Sequence, residues 1–88
     1  MSRGFTLLER AIRELARSRD LPARLASERL EPSSLLEELG LDSVGTIALL
    51  LEVEVHLGRK IPESHLKGLR TLGELADLVD RVADGSAS

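Results

Sequence analysis

The chain contains no cysteine, no tryptophan and no tyrosine, and Phe5 is its single aromatic residue. Without thiols there is no disulfide framework and no thiolate metal cluster, so any thiol chemistry has to be brought in from outside. Without aromatics the core must come from Leu, Ile, Val and Ala, which suits packed helices better than sheets. No run approaches the roughly 18–20 apolar residues of a membrane span, and no apolar signal core follows the first basic residues. The expectation is a cytoplasmic protein that does not engage the membrane.

What is present is a charged surface of uneven sign. Net charge is −3 over 88 residues. Residues 1–30 carry seven Arg against four acids, whereas residues 31–88 carry five bases against eleven acids. An acidic C-terminal two-thirds repels phosphate, which argues against nucleic acid as a ligand. It suits a basic protein partner instead. The length makes residues 1–88 one domain, with an ordered core over about 5–82 and a small polar tail at about 84–88 that is expected to fray.

Hydrophobic spacing predicts helices throughout. The first runs from about Thr6 to Ser18, with Leu8, Ala11, Ile12 and Leu15 on one face and a Thr6–Glu9 capping box at its start. Residues 20–41 form a long connection punctuated by Pro22 and Pro32, with room for one helical turn near Ala23–Arg29. Leu35, Leu36 and Leu39 read as plugs dropped from it into the core. The second helix runs from Asp42-Ser43 to about Leu57, apolar over an unusually wide arc, and stops at Gly58 before Arg59 and Lys60. A short element follows at about Glu63–Leu66. Thr71-Leu72-Gly73-Glu74 is a further capping box, opening a last helix that turns Leu72, Leu75, Ala76, Leu78, Val79 and Val82 inward. No repeats and no strand pair are visible. The fold class is all-α, a small bundle of three main helices and one short one. Its expected core includes Leu15, Leu39, Ile47, Leu51, Ile61, Leu75 and Val79.

Chemistry points to a single place. In Glu38-Leu39-Gly40-Leu41-Asp42-Ser43-Val44-Gly45-Thr46, an Asp-Ser pair stands at the mouth of the apolar helix. Helix capping alone explains such a pair, since Ser and Asp are preferred N-caps. The alternative is that Asp42 caps and Ser43 is left free to react. His56 and His65 have no positioned nucleophile or cysteine beside them in the sequence and read as surface residues. No catalytic base, oxyanion donor or metal-ligand cluster is evident, so neither catalytic residues nor a metal site are expected.

Residues 33–79 resemble the acyl carrier protein family in four pieces that agree in order and spacing. These are Ser34-Leu35 before the site, Leu39-Gly40-Leu41-Asp42-Ser43 at it, Ile61-Pro62 after the second helix, and Thr71-x-x-Glu74-Leu75 opening the last. The resemblance implies 4′-phosphopantetheine carried on Ser43, with Asp42 completing the motif. It implies a phosphopantetheinyl transferase, a loading enzyme for acyl or aminoacyl groups, and a downstream synthase or transferase as partners of a monomeric carrier that is not itself an enzyme. The family's inner-face positions match Val44, Ile47, Leu51 and Ile61. Partner docking is expected at Leu41, Val44, Gly45, Ala48, Val55 and Ile61. Fatty-acid-synthesis carriers usually line this helix with acids, whereas the matching positions hold Gly45, Ala48 and Val55, and only Glu54 keeps its acid. Asp42-Ser43-Val44-Gly45-Thr46 with the following leucines is similar to stand-alone D-alanyl and aminoacyl carriers and to discrete polyketide carriers, which suggests a specialised pathway. The competing reading is a helical interaction or dimerisation module with no prosthetic group.

Overall fold

The computed structural model describes residues 3–85. Three α-helices, α1 (Arg3–Arg17), α2 (Ser43–Leu57) and α3 (Leu72–Ala83), are joined by connections carrying single 3-10 turns at Ala23–Ala26 and Glu63–Leu66. α1 lies at the centre of the packing, against α3, α2 and the Ala23–Ala26 turn. The predicted faces of α1 and α3 are the buried ones. Leu8, Ala11, Ile12 and Leu15 join Leu72, Leu75, Ala76, Leu78, Val79 and Val82 in one core.

α1 begins three residues earlier than its sequence suggests, and the Thr6–Glu9 capping box does not form because Thr6 already lies inside the helix. Its first turn is satisfied from across the bundle: the Gly4 N–H donates to Asp80 Oδ1 on α3 at 2.6 Å. That carboxylate also sits at the positive end of α1, where an anion is favoured. At the other end of the chain, the Thr71 capping box is present as expected, with Thr71 and Glu74 each accepting the other's backbone N–H. The N–H groups of Arg70 and Thr71 hold the Glu74 carboxyl below its ordinary pKa.

The long connection is pinned rather than loose. Arg13 donates through one guanidinium nitrogen to the Leu25 and Glu28 carbonyls, at 2.7 and 2.5 Å. Leu36 N–H donates to Arg70 O and Leu72 N–H to Ser34 O, framing one isolated antiparallel bridge between Leu35 and Thr71, although no strand pairing was expected. Leu36 and Leu39 are core plugs as predicted, joined by Leu21, Leu25, Leu30 and Leu41. Leu35 is not, at 39% exposure, because its bridge to Thr71 turns it outward while the next residue, Leu36, points into the core. Asp84 and Gly85, assigned to a fraying tail, make the closing turn of α3, and Ser86–Ser88 lie outside the described residues.

α2 is where the sequence reading of the core needs correction. Gly45, Leu49, Leu50 and Val53 are the buried residues of this helix. Ile47 and Leu51, expected in the core, are 40% and 58% exposed, and Val44 and Val55 are both at 76%. The helix is rotated so that Val44, Ala48, Leu51 and Val55 form a stripe on its outer side. The remaining core expectations, Leu15, Leu39, Ile61, Leu75 and Val79, are met.

Candidate functional site

The start of α2 is built by Asp42. Its backbone is extended (φ −79°, ψ −170°), its Oδ1 accepts the Gly45 N–H at 2.8 Å, and its carbonyl accepts the Thr46 N–H at 2.8 Å. Capping is thereby complete without Ser43. Ser43 is the first residue of the helix and is exposed. Its hydroxyl has no intramolecular partner among the described residues. No Asp or Glu occupies the first turn of α2, so the helix's positive end faces no carboxylate there beyond the cap itself.

Two shallow troughs flank this helix. One, about 260 Å³, is lined by Ser43 with Leu36, Thr46, Ile47, Leu66 and Leu69. The second, about 470 Å³, is lined by Ile47, Leu50, Leu51, Glu54, Lys60, Ile61 and Pro62. Ile47 belongs to both and stands between them. Sequence reasoning missed Thr46, Leu66 and Leu69 as neighbours of Ser43. The available signal was weak: Leu66 and Leu69 fall three apart just beyond the short third element.

The expected docking residues separate into two groups. Val44 and Val55 are exposed and Ala48 is half-buried on the outer stripe. Leu41, Gly45 and Ile61 are buried, so the surface offered to a partner does not include them. Gly45 shows why. A Cβ at that position would meet Leu21 Cδ2 at 3.2 Å, Asp42 Oδ1 at 3.3 Å and Leu41 Cδ2 at 3.6 Å. The absent side chain makes room for the chain's own connection and cap, not for an approaching protein. Glu54, the acid retained on this helix, is committed as well: its Oε2 accepts the Ile61 N–H at 2.6 Å. His56 stays on the surface, with Nε2 3.8 Å from Glu52. Among the described residues no cluster of three or more His, Asp or Glu is arranged to hold a metal.

An exposed, unpartnered serine at a helix start, with its neighbour doing the capping, fits covalent attachment of an anionic group. The phosphopantetheine attachment-site family matches residues 10–79 of the chain. An acyl carrier protein of Saccharopolyspora erythraea is 33% identical over 86 residues, which cover 93% of this chain and 87% of that protein. The chain belongs to the acyl carrier protein family. Its prosthetic group is 4′-phosphopantetheine, and like its relatives it is a carrier and not a catalyst. This carrier is also 42% identical over 59 residues to the polyketide biosynthesis acyl-carrier-protein AcpK of Bacillus subtilis, across 66% of its own length and 72% of that protein. A meromycolate extension acyl carrier protein of Mycobacterium tuberculosis is 29% identical over 58 residues, 66% of this chain and 50% of that one. No solved structure matches the carrier. No helix among its described residues is long and apolar enough to cross a membrane.

Proposed function

We propose that this protein is a discrete carrier that bears its phosphopantetheine arm on Ser43 and hands acyl or aminoacyl intermediates between enzymes of a specialised pathway. The free hydroxyl of Ser43, exposed while Asp42 does the capping, is the observation that carries this reading. When bound, the arm supplies the terminal thiol that a cysteine-free chain lacks and on which cargo rides as a thioester. The protein's own part is presentation. Asp42 fixes the first turn of α2, which orients the Ser43 oxygen outward and aims backbone N–H groups at an anion attached there. A flexible arm anchored at that point turns encounter with a docked enzyme into an intramolecular search at high effective concentration.

Docking falls to the outer stripe of α2. Val44, Ile47, Leu51 and Val55 are exposed apolar residues that run along α2 away from the attachment point, with Ala48 between them. With Glu54 engaged by Ile61, recognition through this stripe is more apolar than electrostatic. The resemblance to a polyketide carrier and to meromycolate carriers supports a pathway outside housekeeping fatty-acid synthesis. A phosphopantetheinyl transferase, a loading enzyme and a downstream synthase or transferase are the partners this requires.

The test is intact mass after incubation with coenzyme A and a broad-range phosphopantetheinyl transferase. The wild type gains one phosphopantetheinyl group, and Ser43→Ala gains none while keeping its helical circular dichroism. Modification of Ser43→Ala, or none of the wild type with several transferases, defeats the reading. That second result would leave the exposed stripe to serve a simple helical interaction module.

A further inference from the structure

Glu54 carries more structure than an exposed acid on a recognition helix needs. Its backbone carbonyl accepts the Gly58 N–H at 2.8 Å, closing α2 with Gly58 in the left-handed region at φ 69°. Its side chain then reaches past that turn and accepts the Ile61 N–H at 2.6 Å. One residue therefore fixes both ends of the reversal at 58–61. A backbone N–H bound to a carboxylate is among the stronger hydrogen bonds available to a protein. Its effect is local and visible: Ile61 is seated in the core, and the segment Lys60–Pro62, the lip, lines one side of the trough whose other side is Ile47, Leu50 and Leu51 of α2. Ile47 is shared with the trough beside Ser43, so the lip and the attachment site border one continuous strip of surface.

We propose that Glu54 is a positioning residue that works through Ile61, latching the lip of this trough so that α2 and the Ser43 site are presented in one fixed shape, and that its negative charge is not what partner enzymes read. The inference rests on the carrier reading of Ser43 for its functional consequence, but the latch itself is a property of the unmodified chain. A docking acid needs its charge, whereas a latch needs only an oxygen that accepts the Ile61 N–H. Glutamine keeps the acceptor and removes the charge, and alanine removes both.

The experiment compares wild type, Glu54→Gln and Glu54→Ala well below their melting temperatures. Amide exchange at Ile61 is followed on the unmodified proteins, and the kinetics of arm transfer are measured with coenzyme A and a phosphopantetheinyl transferase. Glu54→Ala is expected to speed Ile61 exchange by about tenfold or more, the loss of one charge-assisted bond. It should also raise KM for the carrier while kcat changes less. Glu54→Gln should keep most of the protection and stay within about twofold of wild type in KM, since neutral amide oxygen is a weaker but sufficient acceptor. Unaltered Ile61 exchange in Glu54→Ala overturns the latch. Transfer to Glu54→Gln that is as poor as to Glu54→Ala, with Ile61 still protected, makes Glu54 a docking acid and overturns the proposal. If Glu54→Ala does not fold, the KM of Glu54→Gln decides alone. A wild type that is never modified would defeat the carrier reading and leave the exchange result standing by itself.

Discussion

α1 and α2 are both fifteen residues long and both contribute to the same core, yet one could be read from its sequence and the other could not. α1 alternates apolar residues with Glu and Arg at helical spacing, so the face made of Leu8, Ala11, Ile12 and Leu15 had only one place to go. α2 is apolar almost all the way round. Burial of its Leu49–Leu50–Val53 side leaves Val44, Ile47, Leu51 and Val55 in solvent, residues no less hydrophobic than those inside. In a protein this small, the packing against α1 can cover one side of a helix and no more. An apolar face left over after the core is complete is what the proposed docking surface consists of. The difference between the two helices is thus one of covering: the apolar face of α1 is enclosed by its neighbours, and one apolar side of α2 is not.

Core substitution breaks the comparison most directly. Leu49→Ala removes a fully buried side chain and is expected to cost about 2–5 kcal/mol. Leu51→Ala, two residues on but on the outer stripe, is expected to stay within about 0.5 kcal/mol, as exposed substitutions do. Urea unfolding of the pair measures both, and equal losses would put the stripe back in the core. Gly45 tests the same boundary from the inside. Were it on the presented face, an acid there would strengthen the start of the helix through the dipole. Because a Cβ already meets Leu21 and the Asp42 carboxylate at 3.2 and 3.3 Å, Gly45→Asp is instead expected to destabilise by about 1–3 kcal/mol through overpacking. A raised melting temperature would contradict the inward placement. The smallest effect on stability belongs to Val55→Glu, at 76% exposure expected to lie within about 0.5 kcal/mol of wild type. Its effect should appear in binding to the loading enzyme, weakened several-fold and only mildly salt-dependent, as few charged contacts contribute. Unchanged affinity of Val55→Glu with a steep salt dependence would move recognition from the stripe to the acids.

Other misreadings share a cause with α2. The Thr6–Glu9 pair satisfies the local rule for a capping box, but α1 is already helical at Arg3, where Asp80, 76 residues away, accepts the Gly4 N–H. Glu54 reads as the one outward acid kept along α2 until the chain folds back and brings the Ile61 N–H to it. Leu35 looks like a core plug until its bridge to Thr71 sets its register. Each error concerns a polar group or an apolar side chain whose partner lies beyond the reach of a helical turn. The Thr71–Glu74 capping box and the Asp42 cap were legible because donor and acceptor sit three residues apart.

The sequence by itself determined the all-α class, the order and limits of α2 and α3, the inward faces of α1 and α3, and the Asp42-Ser43 motif on which the proposed attachment rests. Periodicity, caps and stop signals are local, and they act before any tertiary contact is made. Only the tertiary structure decided which side of α2 faces solvent, that α1 is already helical ahead of Thr6, and what Gly45 and Glu54 contact. A helix that is apolar all round carries no instruction about its own rotation. Its orientation comes from the neighbours that cover it: Leu21 and Leu41 against Gly45, and the Ile61 N–H against Glu54.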